Sequence, residues 1–357
     1  MNESPSLRWV RPTPSAPLAP RASVRTQITL EALLAGRHAV GEREYVDVVD
    51  LFCGCGGFSE GARRAGHRVV LGVDSDATAL AVHCANHPQA AHRQLELPHG
   101  ELAALLPREG TRYHCHASPP CTKLSVGGGT NRSAPDRRTG MVLVAWFLDL
   151  VATLPCTSWS MEQVVQEDVL DELRERRRAR PDRYDFEVVL MSQYGVPQDR
   201  KRVIAGTPWL ISRLRDRAEP LLVRRVIDAL PKPPPGSVGI KGRRTTVGRE
   251  QCKSWAKAFQ LPKNVIPREM RMKRGGLRRP APTVIAGAPH RWCDAGGNTT
   301  RCLTIPEHAI LQTFGSAYRL SCPYGEALRL VGNAIPPLFV EHLLAGYRVP
   351  EWVSERV

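Results

Sequence analysis

A cysteine and a glutamate each follow an apolar run, in positions that suit nucleophilic and acid–base chemistry. Cys121 comes directly after Ser118-Pro119-Pro120 at the end of the run RYHCHAS. Its thiol is therefore predicted on a rigid turn at the carboxyl edge of a sheet, where open sheets bind ligands. Glu162, in WSMEQVV, ends another apolar strand and is predicted at the same edge. A thiolate beside a carboxyl group suits covalent catalysis, and a buried, inert cysteine is the alternative that Cys121 alone leaves open.

A glycine-rich turn lies between the first predicted strand and the first predicted helix. It runs from Phe52 to Gly61 and reads FCGCGGFSEG, a composition that lets the backbone approach a ligand at a helix N-terminus. Asp74 ends the next strand, 20 residues beyond Gly54, the spacing at which an acid receives ribose hydroxyls in nucleotide-binding units. The dinucleotide pattern GxGxxG is broken, since its third glycine would fall on Ser59. The turn predicts a nucleoside-containing cofactor without a pyrophosphate, with tight packing as the other interpretation.

The elements that must position these residues alternate between strands and helices. The runs YVDVVDLF, HRVVLGVD and RYHCHAS predict strands, and a further strand is predicted near Trp159. Helices are predicted over 77–86 and from about Gly140. Two later segments, CLTIPEHAILQTF and LRLVGNAIPPLFVEHLLAGY, have amphipathic helical patterns. This alternation predicts an α/β fold with a parallel sheet covered by helices on both faces.

Positive charge is concentrated in one part of the chain. The 357 residues carry a net charge of +15, which favours a polyanionic partner. Residues 207–300 hold 20 Lys and Arg against 6 Asp and Glu, a net of +14. We therefore predict four parts. Residues 1–44 form a flexible Pro- and Arg-containing arm, and residues 45–206 form a cofactor-binding and catalytic domain. Residues 207–300 form a smaller basic domain, and residues 301–357 form a C-terminal segment that packs back on the catalytic domain.

Composition and the terminal sequence bear on the environment of the protein. The apolar fraction of 42% and the charged fraction of 24% argue against wholesale disorder. The apolar stretch 141–154 is interrupted by Asp149 and is shorter than the roughly 20 residues of a membrane-spanning helix. No apolar run follows a basic N-terminus, as it would in a secretory signal. We expect a cytoplasmic protein with reduced thiols and no membrane partner, and we expect no metal site because no CxxC pair is present.

Six blocks occur along the chain in an order that carries a resemblance to a known family. They read DLFCGCGGFSEG, SPPC, MEQV, QYGVPQDRKR, LTIPEHAILQTF and VGNAIPP. With these blocks, most of residues 45–348 resembles the cytosine-C5 DNA methyltransferases. The resemblance implies a Rossmann-like methyltransferase sheet, S-adenosyl-L-methionine as the methyl donor, and a target-recognition domain between the QxRxR and LTxxE blocks. That interval contains the +14 segment.

The resemblance also implies roles for individual residues. The implied catalytic residues are a nucleophile, an acid that meets N3 of the base and the two arginines of the QxRxR block: Cys121, Glu162, Arg202 and Arg200. The implied cofactor-binding residues lie in the glycine loop, after the second and third strands, before the cysteine and in the last block: Phe52, Gly54, Gly56, Gly57, Asp74, Glu96, Pro119 and Asn333. Two positions depart from the family pattern. Glu162-Gln163-Val164 stands where Glu-Asn-Val is usual, and a longer amide can shift the loop that it anchors. Thr122 follows the cysteine where Gln is common, a position that the chemistry constrains less.

The implied substrate is a cytosine in double-stranded DNA that is flipped out of the duplex by a monomeric enzyme, and a cognate restriction endonuclease is a further candidate partner. An RNA cytosine-C5 methyltransferase is the first alternative, because the same thiol chemistry would serve. A catalytically silent DNA-binding relative is the second, and the presence of Cys121, Glu162 and Arg202 argues against it. A nicotinamide oxidoreductase is a distant third, weakened by Ser59 in the glycine loop.

Overall fold

A seven-stranded sheet with helices packed on both faces forms the centre of the protein. The computed structural model describes residues 45–120, 134–215, 226–230, 232–241, 275–276, 279–295 and 299–347. The predicted arm 1–44 lies outside the described residues. Everything described belongs to one compact unit, residues 44–357.

The strands and helices are numbered in chain order. The strands are β1 (Asp47–Leu51), β2 (Arg68–Asp74), β3 (Ala91–Gln94), β4 (Tyr113–Ala117), β5 (Ser158–Gln163), β6 (Asp185–Leu190), β7 (Gln198–Asp199), β8 (Lys201–Gly206), β9 (Gly239–Lys241), β10 (Gly275–Gly276), β11 (Ala281–Pro282), β12 (Arg291–Cys293) and β13 (Thr299–Cys302). The helices are α1 (Gly57–Arg64), α2 (Ala77–Asn86), α3 (Leu102–Leu105), α4 (Ala134–Thr153), α5 (Glu167–Ala179), α6 (Pro208–Arg215), α7 (Val226–Ala229), α8 (Ile305–Leu311), α9 (Tyr324–Asn333) and α10 (Pro337–Leu344). A 3₁₀ turn covers Met191–Tyr194. No helix within these described ranges has the length and apolar character needed to cross a bilayer.

The order of strands in the large sheet creates a crevice at one edge. That order is β3-β2-β1-β4-β5-β8-β6, in which β3, β2, β1, β4 and β5 are parallel and β8 runs antiparallel to both of its neighbours. From β1 the chain continues to β2 on one side, whereas β4 pairs with β1 on the other. Ligands of open α/β sheets bind where the strand order reverses in this way, beyond the carboxyl ends of the strands. The predicted α/β fold class with a mostly parallel sheet is therefore confirmed.

Two layers of apolar side chains hold the helices on the sheet. Alternate residues of β1 point to opposite faces, as in any strand. Val49 packs in the cluster that contains Phe147 of α4 and Trp159 of β5, whereas Val48 packs in the cluster that contains Phe58 and Phe339. Because both faces are covered, β1, β4 and β5 are buried along their whole length, which is typical of parallel sheets.

The C-terminal helices pack against the glycine-rich turn and the helix that follows it. At Gly61 of α1, a Cβ atom would overlap the carbonyl of Pro337. This close approach places α10 against α1 and brings the end of α9 next to the turn after β1. The sequence between α6 and α8 forms a second, four-stranded sheet in its described parts, with the order β10-β9-β12-β13. Trp292 of this sheet is fully buried in an apolar cluster, and its indole N–H donates to Glu307.

Candidate active site

A cavity of about 280 Å³ lies at the carboxyl edge of the large sheet, at the reversal in strand order. The turns that follow β1 and β4, the ends of β2 and β5, and the C-terminal end of α9 line it. The described residues of the predicted site that line it are Phe52, Gly54, Gly57, Asp74, Pro119, Glu162, Arg200 and Asn333. Residues far apart in sequence therefore meet in one cavity at the carboxyl edge of the sheet.

The glycine-rich turn combines an open side with a closely packed side. Phe52 and Gly54 both have a positive φ, at 55° and 54°. A Cβ atom on Gly54 would meet nothing within 4 Å, so a ligand has room to approach the backbone at this point. At Gly57 a Cβ atom would overlap the carbonyl oxygen of Ile335, and at Gly56 it would lie 2.6 Å from the Tyr318 hydroxyl oxygen. Gly56 and Gly57 thus permit packing against the C-terminal segment, and Gly54 and Gly57 both border the cavity.

Asp74 fixes the turn from the end of β2. Its Oδ2 accepts a hydrogen bond from the Gly54 N–H at 2.8 Å, and its Oδ1 accepts one from the Asp76 N–H at 2.9 Å. Burial raises the pKa of the Asp74 carboxyl, and the two backbone N–H donors act in the opposite direction. Each carboxylate oxygen retains acceptor capacity for a hydroxyl group of a ligand. The carboxyl group is therefore placed to accept from a ribose.

The structure does not bring Glu96 into this site. Glu96 is exposed, two residues beyond the end of β3, and the cavity lining does not include it. Asp76 lines the cavity instead. It caps α2 by accepting from the N–H groups of Thr78 and Ala79, and it pairs with Arg329. Asp76 could have been recognised from the sequence, because an aspartate directly before a predicted helix is a typical N-cap.

The lining also includes Asp50 and Ser118, which were not among the predicted site residues. Asp50 lies in the buried strand β1, and the Ser59 hydroxyl donates to its Oδ2 at 2.7 Å. Burial raises the pKa of Asp50 to about 7. The available signal was an acid within the otherwise apolar run VVDLF, a position that a carboxyl group occupies only with a partner.

The turn after β4 leads into the predicted nucleophile. Ser118, Pro119 and Pro120 line the cavity, and Cys121 lies outside the described residues. The side-chain amide of Gln163 donates to the Pro119 carbonyl at 3.1 Å. The amide oxygen of the same side chain accepts from the Val164 N–H at 2.8 Å. Gln163, one of the two departures from the family pattern, therefore ties the end of β5 to the turn that precedes Cys121.

Glu162 and the two arginines come together through the antiparallel pairing of β5 with β8. The Arg202 Nε lies 2.7 Å from Glu162 Oε1, and the Arg200 Nη2 lies 3.7 Å from the same atom. Glu162 is buried and lines the cavity. The Arg200 side chain is only 2% exposed, and its guanidinium donates to the carbonyls of Val284 and Gly332 at 3.2 Å. Arg202 thus faces the glutamate, whereas Arg200 also holds backbone segments together.

Asn333, the last residue of α9, completes the lining. Its side chain is exposed, and its carbonyl accepts from Arg200 at 3.5 Å. Within the described part of the chain, no group of three His, Cys, Asp or Glu side chains is arranged to hold a metal ion. The hydrogen-bond donors and acceptors that line this cavity suit an organic ligand.

Comparisons with known proteins find similarity to DNA methyltransferases. Residues 46–154 match the family model of C-5 cytosine-specific DNA methylases. The Type II methyltransferase M.AplI of Arthrospira platensis is 28% identical over 317 residues, which is 82% of this chain and 83% of that protein. The Type II methyltransferase M.HgiDI of Herpetosiphon aurantiacus is 24% identical over 295 residues, covering 81% of this chain and 89% of that protein.

Solved structures show the same fold at lower sequence identity. A prophage-encoded protein of E. coli, described as a DNA modification methyltransferase, superposes with a TM-score of 0.55 and 22% identity, covering 84% of this chain and 98% of that one. The Dnmt2 methyltransferase of S. pombe superposes with a TM-score of 0.51 and 15% identity, covering 84% and 97%. At these identities the likeness shows a shared fold.

Proposed function

We propose that this chain is a member of the C-5 cytosine-specific DNA methylase family, whose model matches residues 46–154, and that it transfers a methyl group to C5 of a cytosine in duplex DNA. One observation carries the proposal. The Glu162 carboxyl, the turn before Cys121 and the Asp74-bound glycine loop border a single cavity. These are the three parts that a base, a nucleophile and a nucleoside cofactor would need.

The family and fold imply S-adenosyl-L-methionine as the methyl donor, and the residues present fit that molecule. Asp74 supplies a carboxyl group for ribose hydroxyls, and Gly54 leaves the open space into which a ligand can fit. Phe52, Pro119 and Asn333 line the same cavity. When bound there, the cofactor supplies an electrophilic sulfonium methyl group.

We propose Cys121 as the nucleophile that makes cytosine reactive. C5 of cytosine is too poor a nucleophile to attack a methyl group unaided, so the thiolate first adds to C6 and a C6–S bond forms. The electron pair of the C5–C6 double bond then becomes available at C5. After methyl transfer a base removes the C5 proton, the double bond is restored and the C6–S bond breaks to release the thiolate.

Glu162 and Arg202 would stabilise the base during this addition. Negative charge develops across N3 and O2 when the thiolate adds, and groups fixed in a dry cavity stabilise such charge more than water does. The Glu162 carboxyl can hydrogen-bond to N3, and the Arg202 guanidinium, 2.7 Å from that carboxyl, supplies positive charge beside it. We propose that Arg200, buried and bonded to backbone carbonyls, mainly holds this arrangement in place.

The location of the positive charge supports a nucleic-acid substrate. The target atoms are inaccessible inside a duplex, so the base must be flipped out at a cost of a few kcal/mol. We propose residues 207–300, with their net charge of +14, as the target-recognition domain that binds the DNA backbone. We further propose that the chain acts as a monomer on DNA, and the Type II names of its relatives make a cognate endonuclease the partner to look for.

A duplex that contains 5-fluorocytosine tests the proposal, because fluorine at C5 cannot leave as a proton and the enzyme remains bonded to C6. We expect the wild-type chain to form a denaturation-resistant adduct that requires S-adenosylmethionine. Cys121→Ala should form none while it still binds DNA, and Cys84→Ala, which changes an exposed cysteine, should behave as wild type. Adduct with Cys121→Ala would contradict the mechanism, adduct with fluorinated RNA alone would indicate an RNA enzyme, and DNA binding without adduct would indicate a silent relative.

A further inference from the structure

A chain of five hydrogen bonds runs through the protein interior and ends at the cavity. The Tyr347 hydroxyl bonds to the Ser158 hydroxyl, and Ser158 Oγ lies 2.6 Å from His114 Nδ1. His114 Nε2 lies 2.8 Å from Ser160 Oγ, which in turn lies 2.8 Å from His116 Nδ1. His116 Nε2 lies 2.9 Å from the Ser118 hydroxyl oxygen. Only Ser118 of these six residues lines the cavity.

Both imidazoles in this chain are neutral. His114 and His116 are at most 1% exposed, and burial lowers the pKa of His114 to about 3 and that of His116 well below its usual value. A neutral imidazole has one N–H donor and one acceptor nitrogen, and each serine hydroxyl has one proton. Each of the five hydrogen bonds therefore contains one proton, and all five must donate in the same direction along this chain of hydrogen bonds.

The tyrosine favours one of the two directions. A phenol is a stronger donor and a weaker acceptor than an aliphatic hydroxyl, which favours donation from Tyr347 to Ser158. Ser158 then donates to His114 Nδ1, His114 Nε2–H donates to Ser160, Ser160 donates to His116 Nδ1, and His116 Nε2–H donates to Ser118. In this arrangement the proton of the Ser118 hydroxyl is not used within the chain. A hydrogen bond between His116 and the backbone of Ser160 acts to raise the pKa of His116, but burial outweighs it and the ring stays neutral.

We propose that Ser118 is a ligand-binding residue whose hydroxyl donates a hydrogen bond into the cavity, and that Tyr347, at the far end of the chain, sets the direction of that donation. The partner is an oxygen acceptor of a ligand. Two sources have this chemistry, the carboxylate of the methyl donor and the carbonyl group of the base. The identity of the ligand rests on the proposed function, whereas the direction of the chain does not. His114 and His116 are positioning residues on this account.

The direction can be measured without any assay of activity. In the wild-type chain labelled with ¹⁵N-histidine, we expect His114 and His116 both to carry the proton on Nε2, with a pyridine-type shift at Nδ1. Their signals are assigned by their loss in His114→Gln and His116→Gln. Protons on Nδ1 of both rings would overturn the proposed direction, and this result would leave the proposed methyl transfer intact.

Binding measurements test the ligand contact and its dependence on the remote tyrosine. By calorimetry, Ser118→Ala should weaken S-adenosylhomocysteine about five- to tenfold if the acceptor is the carboxylate, and it should leave 5′-methylthioadenosine, which has no carboxylate, unchanged. If the acceptor is on the base, cofactor affinity is retained and the Kd for duplex DNA with its target base rises instead. No change in either affinity overturns the proposal.

A double-mutant cycle separates transmission along the chain from a general structural effect. Tyr347→Phe retains the ring and removes the proton donor, so it should weaken the same ligand as Ser118→Ala. The double variant should bind no worse than Ser118→Ala alone, because both changes remove one contact. Tyr184→Phe is the matched control and should bind the ligand as wild type does. Tyr184 is also buried, but its hydroxyl donates to the Leu148 carbonyl and takes no part in the five hydrogen bonds. Additive effects of the Ser118 and Tyr347 changes would overturn the proposal.

Discussion

Replacing Arg200 by methionine is expected to destabilise the fold by about 3–5 kcal/mol, the usual cost of removing one partner from a buried charged network. The guanidinium is buried and donates to the carbonyls of Val284 and Gly332 at 3.2 Å, and more weakly to that of Asn333 at 3.5 Å. Each hydrogen bond to a charged group contributes about 1.5–3 kcal/mol, so the two shorter bonds alone account for that range. The same change removes one of the two cations near Glu162.

Thermal unfolding measures this effect directly. For a large domain, about 2 °C of melting temperature corresponds to each kcal/mol, so we expect Arg200→Met to melt about 6–10 °C below wild type. Arg202→Met should lose methyl transfer with a smaller change in melting temperature, because its contacts are Glu162 and one neighbouring carbonyl. Arg68→Met, at a half-exposed surface pair with Asp47, should change stability by less than about 1 kcal/mol. Wild-type melting of Arg200→Met with lost activity would refute the structural role and make Arg200 catalytic.

Three further perturbations follow from the described contacts. Asp74→Asn would place an amide NH₂ group against one of the two backbone N–H groups that donate to the carboxyl. We therefore expect S-adenosylhomocysteine to bind about tenfold more weakly by calorimetry. Unchanged affinity would argue against Asp74 as a cofactor ligand. Gly57→Ala would force a Cβ atom into a neighbouring carbonyl and should lower the free energy of unfolding in urea by about 1–3 kcal/mol. The control Gly100→Ala, whose Cβ atom would meet nothing within 4 Å, should change it little. Equal effects of the two substitutions would contradict the packing argument. Three buried imidazoles have pKa values of about 3 to 4 because burial disfavours their charged form: His87, His114 and His290. Below about pH 5.5 each is mostly protonated in the unfolded chain and neutral in the fold, so each loses about 1.4 kcal/mol of stability per unit of falling pH, while Asp50, with a pKa of about 7, gains the same amount. His83 and His116, whose pKa values burial lowers well below the usual value, act in the same direction as the other imidazoles. We expect a net loss of at least about 2.7 kcal/mol per unit in urea unfolding between pH 5.5 and 5, and a flat profile would contradict it.

The alternation of strands and helices was predictable because it depends on local periodicity. The helix predicted over 77–86 is α2, Ala77–Asn86, and the strands predicted near Tyr45 and Trp159 are β1 and β5. The long helix predicted from about Gly140 begins earlier, at Ala134, because its first turn contains polar residues that an apolar pattern does not mark. Periodicity therefore identified these elements but not where the long helix begins.

The site was predictable where a residue lies directly at a strand end, and less so elsewhere. Asp74 is the last residue of β2 and Glu162 is the residue before the last of β5, so the sheet alone brings them to the cavity. Glu96 lies two residues beyond the short strand β3, is exposed and does not line the cavity, and its spacing along the chain does not reveal this. The hydrogen bonds of His114 were hidden for the same reason, because Ser158 belongs to a strand 44 residues away and Tyr347 follows Ser158 by 189 residues.

The most direct test of the proposed function is the transfer of labelled methyl from S-adenosylmethionine to mixed-sequence duplex DNA and, in parallel, to total RNA, with base-resolution mapping of the product. We predict 5-methylcytosine in duplex DNA at a short recurring sequence, with label absent from RNA. Label confined to RNA would contradict the assigned substrate. Tight, salt-sensitive binding to DNA with no label in either nucleic acid would contradict the assigned reaction itself.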